Sequence, residues 1–132
     1  MNKRIAALAA LILCALCLAG CSSKYKSSYN AVGFVHSNTS DEAEMSFSSF
    51  SGTMVFKLNC DEDGEAVEYY ANLGSGSATV WIDADGTKTE LFRVYAGDSV
   101  HMRSDPIRRG TVYIIVESDG ECRSGTLSFD LD

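Results

Sequence analysis

The sequence predicts an all-β protein, a small antiparallel β-sandwich of about eight or nine strands. Apolar and polar residues alternate with a period of two in run after run, the pattern of strands with one buried face. Asp-Gly pairs fall between several of those runs, and Asp-Gly supplies the positive φ angles that tight hairpin turns need. No stretch after residue 21 repeats apolar residues at i, i+3, i+4 and i+7, so nothing there reads as an amphipathic helix.

The first twenty residues stand apart from this pattern. Lys3 and Arg4 make a short basic start, and Ile5 to Leu18 is an unbroken apolar run of fourteen residues. A helix spanning a bilayer needs about 20 apolar residues. A basic start, a shorter apolar run and small residues at its end describe a helical signal peptide over residues 1–20. A buried helix of the folded domain would need a helical partner, and no later segment offers one.

The run ends in Leu18-Ala19-Gly20-Cys21. This resembles the lipobox of bacterial lipoproteins, an aliphatic residue and two small ones before a cysteine. The resemblance implies a diacylglyceryl thioether on Cys21 and cleavage between Gly20 and Cys21. Small side chains at Ala19 and Gly20 let a peptidase approach the backbone, and only a thiol can become the thioether. Two or more acyl chains hold stably, at about 0.8 kcal/mol per buried CH₂, so the expected partner of Cys21 is membrane lipid. Ser22, in place of an aspartate, points to the outer membrane in a Gram-negative host; in a Gram-positive host the protein sits on the outer face of the single membrane.

Residues 21–30 are polar and serine-rich and read as a lipid-anchored flexible tether, leaving 31–132 as one sandwich domain. Losing Lys3 and Arg4 with the leader takes the formal charge from −7 to −9. That balance excludes nucleic acid as a partner, because its binding depends on neutralising phosphates. Cys14 and Cys17 leave with the leader and Cys21 takes lipid, so Cys60 and Cys122 remain. A disulfide closing about 60 residues would contribute roughly 3–4 kcal/mol in a compartment that permits it. Two buried free thiols are the alternative.

Within the domain the strands follow in order. Met54, Phe56, Leu58 and Cys60 alternate with polar neighbours, as do Val67, Tyr69, Ala71 and Leu73, then Ala78, Val80 and Ile82, and finally Leu127, Phe129 and Leu131. Thr111–Val116 is β-branched and aromatic almost throughout, as a strand covered on both faces should be. Asp63-Gly64, Gly74-Ser75-Gly76, Asp85-Gly86, Ala96-Gly97-Asp98 and Asp119-Gly120 are the expected turns, and Pro106 sits in a loop. Gly52–Phe56 and Gly110–Ile114 look alike, which suggests corresponding strands of two halves. The Gly-Thr-aromatic openings and Asp-Gly hairpins are similar to small β-sandwich accessory domains of bacterial secreted proteins, such as those appended to peptidases or carbohydrate-active enzymes.

Candidate chemistry is sparse. Asp61–Glu65 and Asp83–Gly86 bring carboxylates to glycine turns, as calcium loops do, but neither continues as an EF-hand, and no metal or other cofactor is expected. His36 and His101 lack a nucleophile frame such as Gly-x-Ser-x-Gly, so no catalytic residue is expected. Arg103, Arg108 and Arg109 form the one basic segment, and arginine's planar fork suits carboxylate or phosphate. Trp81 and Tyr70 fall opposite the aliphatic residues of their strands, where exposed rings would stack sugars or mark an interface; an inverted register would instead place Trp81 in the core. The expected function is binding or envelope interaction without catalysis, with an envelope protein or a glycan as partner. The alternative is a glycan- or peptide-binding module built from Trp81, Tyr70 and the arginine loop, and, behind it, a small hydrolase.

Overall fold

The computed structural model describes residues 24–132; Gly20, Cys21 and the leader lie outside them. Seven strands follow one another: β1 (Ser28–Val32), β2 (Val35–Asn38), β3 (Glu42–Cys60), β4 (Val67–Asp83), β5 (Lys88–Tyr95), β6 (Ser99–Arg103) and β7 (Gly110–Leu131). All pair antiparallel. The sheet runs β1-β3-β7-β4-β5, with β2 also on β3 and β6 also on β4.

β3, β4 and β7 are 19, 17 and 22 residues long. A straight strand of the last length would run roughly 70 Å, whereas a compact domain of this size has a radius of gyration of about 13 Å. The long strands therefore bend, and they bend together. Register breaks between Phe50 and Thr53 on β3 and between Ser75 and Ser77 on β4, while β7 carries Ser124 at φ 52° beside this level. Gly76 has φ 88° there, and a Cβ on it would stand 2.6 Å from the Glu121 carbonyl oxygen.

The bend folds one sheet into two facing halves. The first comprises β2, the start of β3, the end of β7, the start of β4, and β6; the second takes the other portions of β3, β7 and β4 with β5, and β1 runs beside the bend. Their inner faces meet through Phe56 and Phe129, centroids 6.1 Å apart, and through Tyr69 stacked on Phe92 at 4.5 Å. Phe56, Phe129, Met45, Ile114, Val80 and Val94 are fully buried between them. The antiparallel sandwich expected from the alternation is thus the fold, with seven strands rather than eight or nine because three of them serve both halves.

Several expectations change in detail. Asp63-Gly64, Asp85-Gly86 and Ala96–Asp98 are turns, but Gly74–Gly76 lies within β4 and Asp119-Gly120 within β7, with Asp119 paired to Ser77. Those glycines shape bends, so the strands on either side of them are one strand. Gly52–Phe56 and Gly110–Ile114 run as partners on neighbouring strands of one half, with Phe56 opposite Ile114. Ser28–Asn30, expected in the tether, belong to β1.

Cys60 and Cys122 are both buried free thiols, so the expected disulfide is absent. Cys122 pairs with Phe50 before the bend, while Cys60 pairs with Gly110 at the far end of β3. The run Met54–Cys60 separates them, about 20 Å of strand, and a disulfide needs Cα atoms within about 7 Å. Burial raises the pKa of both thiols, which keeps them protonated and unreactive.

Candidate functional site

Asp83 ends β4 with 2% of its surface exposed, and a buried carboxylate must be paired or hydrogen-bonded. Its Oδ2 accepts from Lys24 Nζ at 2.8 Å and Tyr25 Oη at 2.6 Å, and its Oδ1 from the Gly86 backbone N–H at 2.7 Å. Lys24 also donates to the Gly86 carbonyl at 2.8 Å. Tyr25 packs edge-on against Tyr113, centroids 5.3 Å apart, and Ser27 Oγ accepts from the Val55 N–H at 2.8 Å. The chain is therefore fastened to the second half of the sandwich from Lys24 onward. Burial pushes the Asp83 carboxyl upward, but the bonds from Lys24, Tyr25 and Gly86 outweigh it and hold its pKa below the ordinary value.

The three features expected to make one binding module lie on three different surfaces. Trp81 alternates with the core residues Val80 and Ile82, so its ring lies on the outer face of the second half. It is half-buried there, packed over Ile115, its cross-strand partner. Its indole N–H donates to Glu117 Oε1 at 2.8 Å, and Lys88 Nζ sits 4.7 Å above the ring while reaching Glu117 Oε2 at 3.3 Å. A cation–π contact of this kind contributes about 0.5–1 kcal/mol and covers the face that a sugar would need.

Tyr70 lies on the outer face of the first half and stacks on His101 at 3.9 Å with rings 19° apart. His101 Nε2 is 2.8 Å from Glu68 Oε2. Around this pair, Glu42, Asp130 and Glu68 share one cross-strand row. Repulsion from Asp130 and Asp41 raises the Glu42 pKa. His36 is exposed on β2 and stacks on Phe34 at 5.0 Å.

The arginine segment occupies the seam where the two halves part. Arg103 closes β6 and forms an ion pair with Asp132 at 2.9 Å. The loop beyond it is pinned, not free. The Ser104 N–H donates to the Val67 carbonyl at 2.8 Å, the Val67 N–H to Ser104 Oγ at 2.9 Å, and the Ile107 N–H to the Glu65 carbonyl at 2.8 Å. The Arg109 N–H donates to Asp63 Oδ1 at 2.8 Å. Pro106 keeps the preceding residue extended.

Between this loop and β5 lies a groove of about 730 Å³, within the range of small-ligand sites. Tyr69, Ile82 and Leu91 give its floor an apolar part, while more of the surface it exposes is polar than apolar. Arg103 and Arg108 line one side with Asp105 between them, and Asp85 and Glu90 belong to the other. Thr87 and Thr89 add hydroxyls. Arg108 makes no ion pair among the described residues. Arg109 lies outside the groove lining. The arginines were visible in sequence, but Tyr69 and Ile82 read there only as members of alternating strands, and Leu91 carried no signal of its own. Their meeting depends on the bend in β4, which brings Tyr69 in one half beside Ile82 and the β5 residue Leu91 in the other.

The acidic turns serve the backbone. Asp61 Oδ1 accepts from Asn59 Nδ2 at 3.0 Å, Glu65 Oε2 from the Glu62 N–H at 2.8 Å, and Asp85 Oδ1 from the Thr87 N–H at 3.1 Å. Among the described residues no group of three or more His, Cys, Asp or Glu side chains is placed to hold a metal ion.

No protein-family profile matches the chain, and no curated protein matches its sequence. Solved structures do match its shape. A periplasmic inhibitor of g-type lysozyme from Aeromonas hydrophila is similar at 17% identity over 70% of this chain and 88% of its own, with a TM-score of 0.50. The module TmCBM61, solved with β-1,4-galactotriose, is 14% identical over 83% of this chain and 85% of its own, TM-score 0.44. A carbohydrate-binding module of Cellvibrio mixtus lichenase 5A, solved with cellotriose, is 9% identical over 78% and 88%, TM-score 0.43. The first likeness supports the sandwich fold and nothing finer.

Proposed function

We propose that this chain is a lipid-anchored extracytoplasmic binding protein that acts without catalysis and takes its ligand in the groove beside β5. The groove carries the reading. It sets a few apolar side chains beside the guanidinium of Arg108, which makes no ion pair among the described residues, and a concave site with convergent polar groups is where a ligand is expected. Arginines and carboxylates together in the lining suit a partner bearing both charges beside an apolar patch. An envelope protein segment meets that description, and so does a peptide-bearing glycan fragment.

The leader and Leu18–Cys21 support the anchor, and the acidic balance suits a domain that stays in solution. The sandwich shared with a periplasmic lysozyme inhibitor is a scaffold on which at least one protein works by inhibiting another protein, g-type lysozyme. A protein partner is therefore the first to seek. Trp81 and Tyr70 are set aside as a sugar platform, because Lys88 covers one ring and His101 stacks on the other.

Capture from solubilised membranes with the intact lipoprotein tests the groove. Thr89→Arg would fill it and Arg108→Glu would reverse its charge. Both variants should keep the native melting temperature, since Thr89 and Arg108 are exposed, yet lose the partner that the native protein retains. Equal recovery by all three proteins rejects the groove as the site.

A further inference from the structure

We propose that the end of the sandwich opposite the bend rests on the bilayer that carries the anchor, its partner being the phosphate-bearing headgroup layer. The inference depends on lipid at Cys21 and goes beyond that reading, because an anchored domain would ordinarily be free to stand off on a tether.

The latch at Asp83 removes the tether. Lys24 and Tyr25 are bonded to a buried carboxylate, and Ser27 to the Val55 N–H. Only Ser22 and Ser23 lie between Lys24 and Cys21, a reach of about 11 Å at full extension. Asp83 is opposite Tyr113, and β7 continues past that level to Gly110, opposite Cys60. Those three residues extend the domain about 10 Å beyond the latch, and the Asp61–Gly64 turn extends it further. The available chain is thus no longer than the protein it must clear. For the lipid on Cys21 to enter the acyl region, this end must meet the headgroup layer, about 5–7 Å deep per leaflet.

The surface brought there can make the contact. Arg109 is exposed at the start of β7, outside the groove, and makes no side-chain ion pair among the described residues. Its guanidinium fork suits phosphate oxygens. Asp61, Glu62 and Asp63 lie at the same end, so net charge does not drive the docking. Chain reach does, and the contact should form on zwitterionic lipid. The groove then opens beside the headgroups.

The test uses the mature lipoprotein in phosphatidylcholine vesicles containing headgroup spin-labelled lipid. Cys60 and Cys122 are buried, so a fluorophore can be placed selectively through Glu62→Cys at this end or Ala96→Cys in the β5–β6 turn at the bend. The label at position 62 should be strongly quenched and that at 96 little affected. A twenty-residue Gly/Ser insertion after Ser23 should abolish the quenching at 62 while the protein stays on the vesicles. Equal quenching at both positions overturns the proposal, as does quenching at 62 that survives the insertion. A native protein that fails to partition into vesicles overturns the anchor itself; partitioning without quenching at 62 overturns only the docking.

Discussion

Asp83 shows how one side chain can hold a segment that the chain's composition describes as loose. Its carboxylate is buried, and leaving such a charge unpaired is costly. Lys24 and Tyr25 supply the pairing, so Ser-Ser-Lys-Tyr, serine-rich and tether-like in sequence, becomes fixed at its last two residues. The donors are 59 and 58 positions away along the chain, which is why Asp83-Ala84-Asp85-Gly86 was legible only as a turn or an incomplete calcium loop. The linkage has a definite sign. The folded pKa of Asp83 lies below its ordinary value of 3.8, so the unfolded chain binds the proton more readily. The bonds therefore stabilise the fold above that ordinary value and lose their contribution as pH falls through the lower folded one. Lys24→Ala should lower the melting temperature at neutral pH, and the gap from the native protein should close in strong acid. A gap unchanged across that window, followed by circular dichroism, would show that Lys24 does not act through the carboxylate.

At the scale of elements, the alternation was legible because it follows from burial of one face. Met54 to Cys60, Val67 to Leu73 and Leu127 to Leu131 each bury the residues that the period of two selects. Continuity was not legible. A glycine between two alternating runs marks a hairpin or a bend alike, and which one forms depends on the partner strand. Asp85-Gly86 turns the chain back, with Asp83 opposite Lys88, whereas Gly76 lets β4 bend against β7 and continue. The two sites should respond differently to substitution. Gly76→Val places a β-branched side chain at φ 88° against Glu121 and Cys122 and should cost about 3 kcal/mol or more from overpacking and backbone strain together. Gly86→Asn, at φ 97° in open space, should cost less, because asparagine tolerates positive φ. Denaturant unfolding of the two variants checks the order, and an equal loss would mean that the bend is not a packed feature.

Across the whole molecule, the bend decides what is brought together. It sets Tyr70 and Trp81 on opposite outer faces, places Cys60 and Cys122 at different ends, and gathers the latch, the acidic turns and the arginine loop at the end away from the bend. Sequence supplied the arginines and the lipobox-like cysteine; it could not supply the groove, whose floor sets Tyr69 from one end of β4 beside Ile82 at the other end and Leu91 on β5, a meeting that exists only once the sheet bends. The sandwich itself follows from residues that speak for their own strand, while the site follows from residues that speak across strands. Hydrogen–deuterium exchange of the protein, alone and with the partner recovered by capture, tests the central claim most directly. Binding in the groove predicts slower exchange over residues 87–91 and 104–108, with the outer face around Tyr70 and His101 unchanged. Protection of that outer face with an unaltered groove would contradict it.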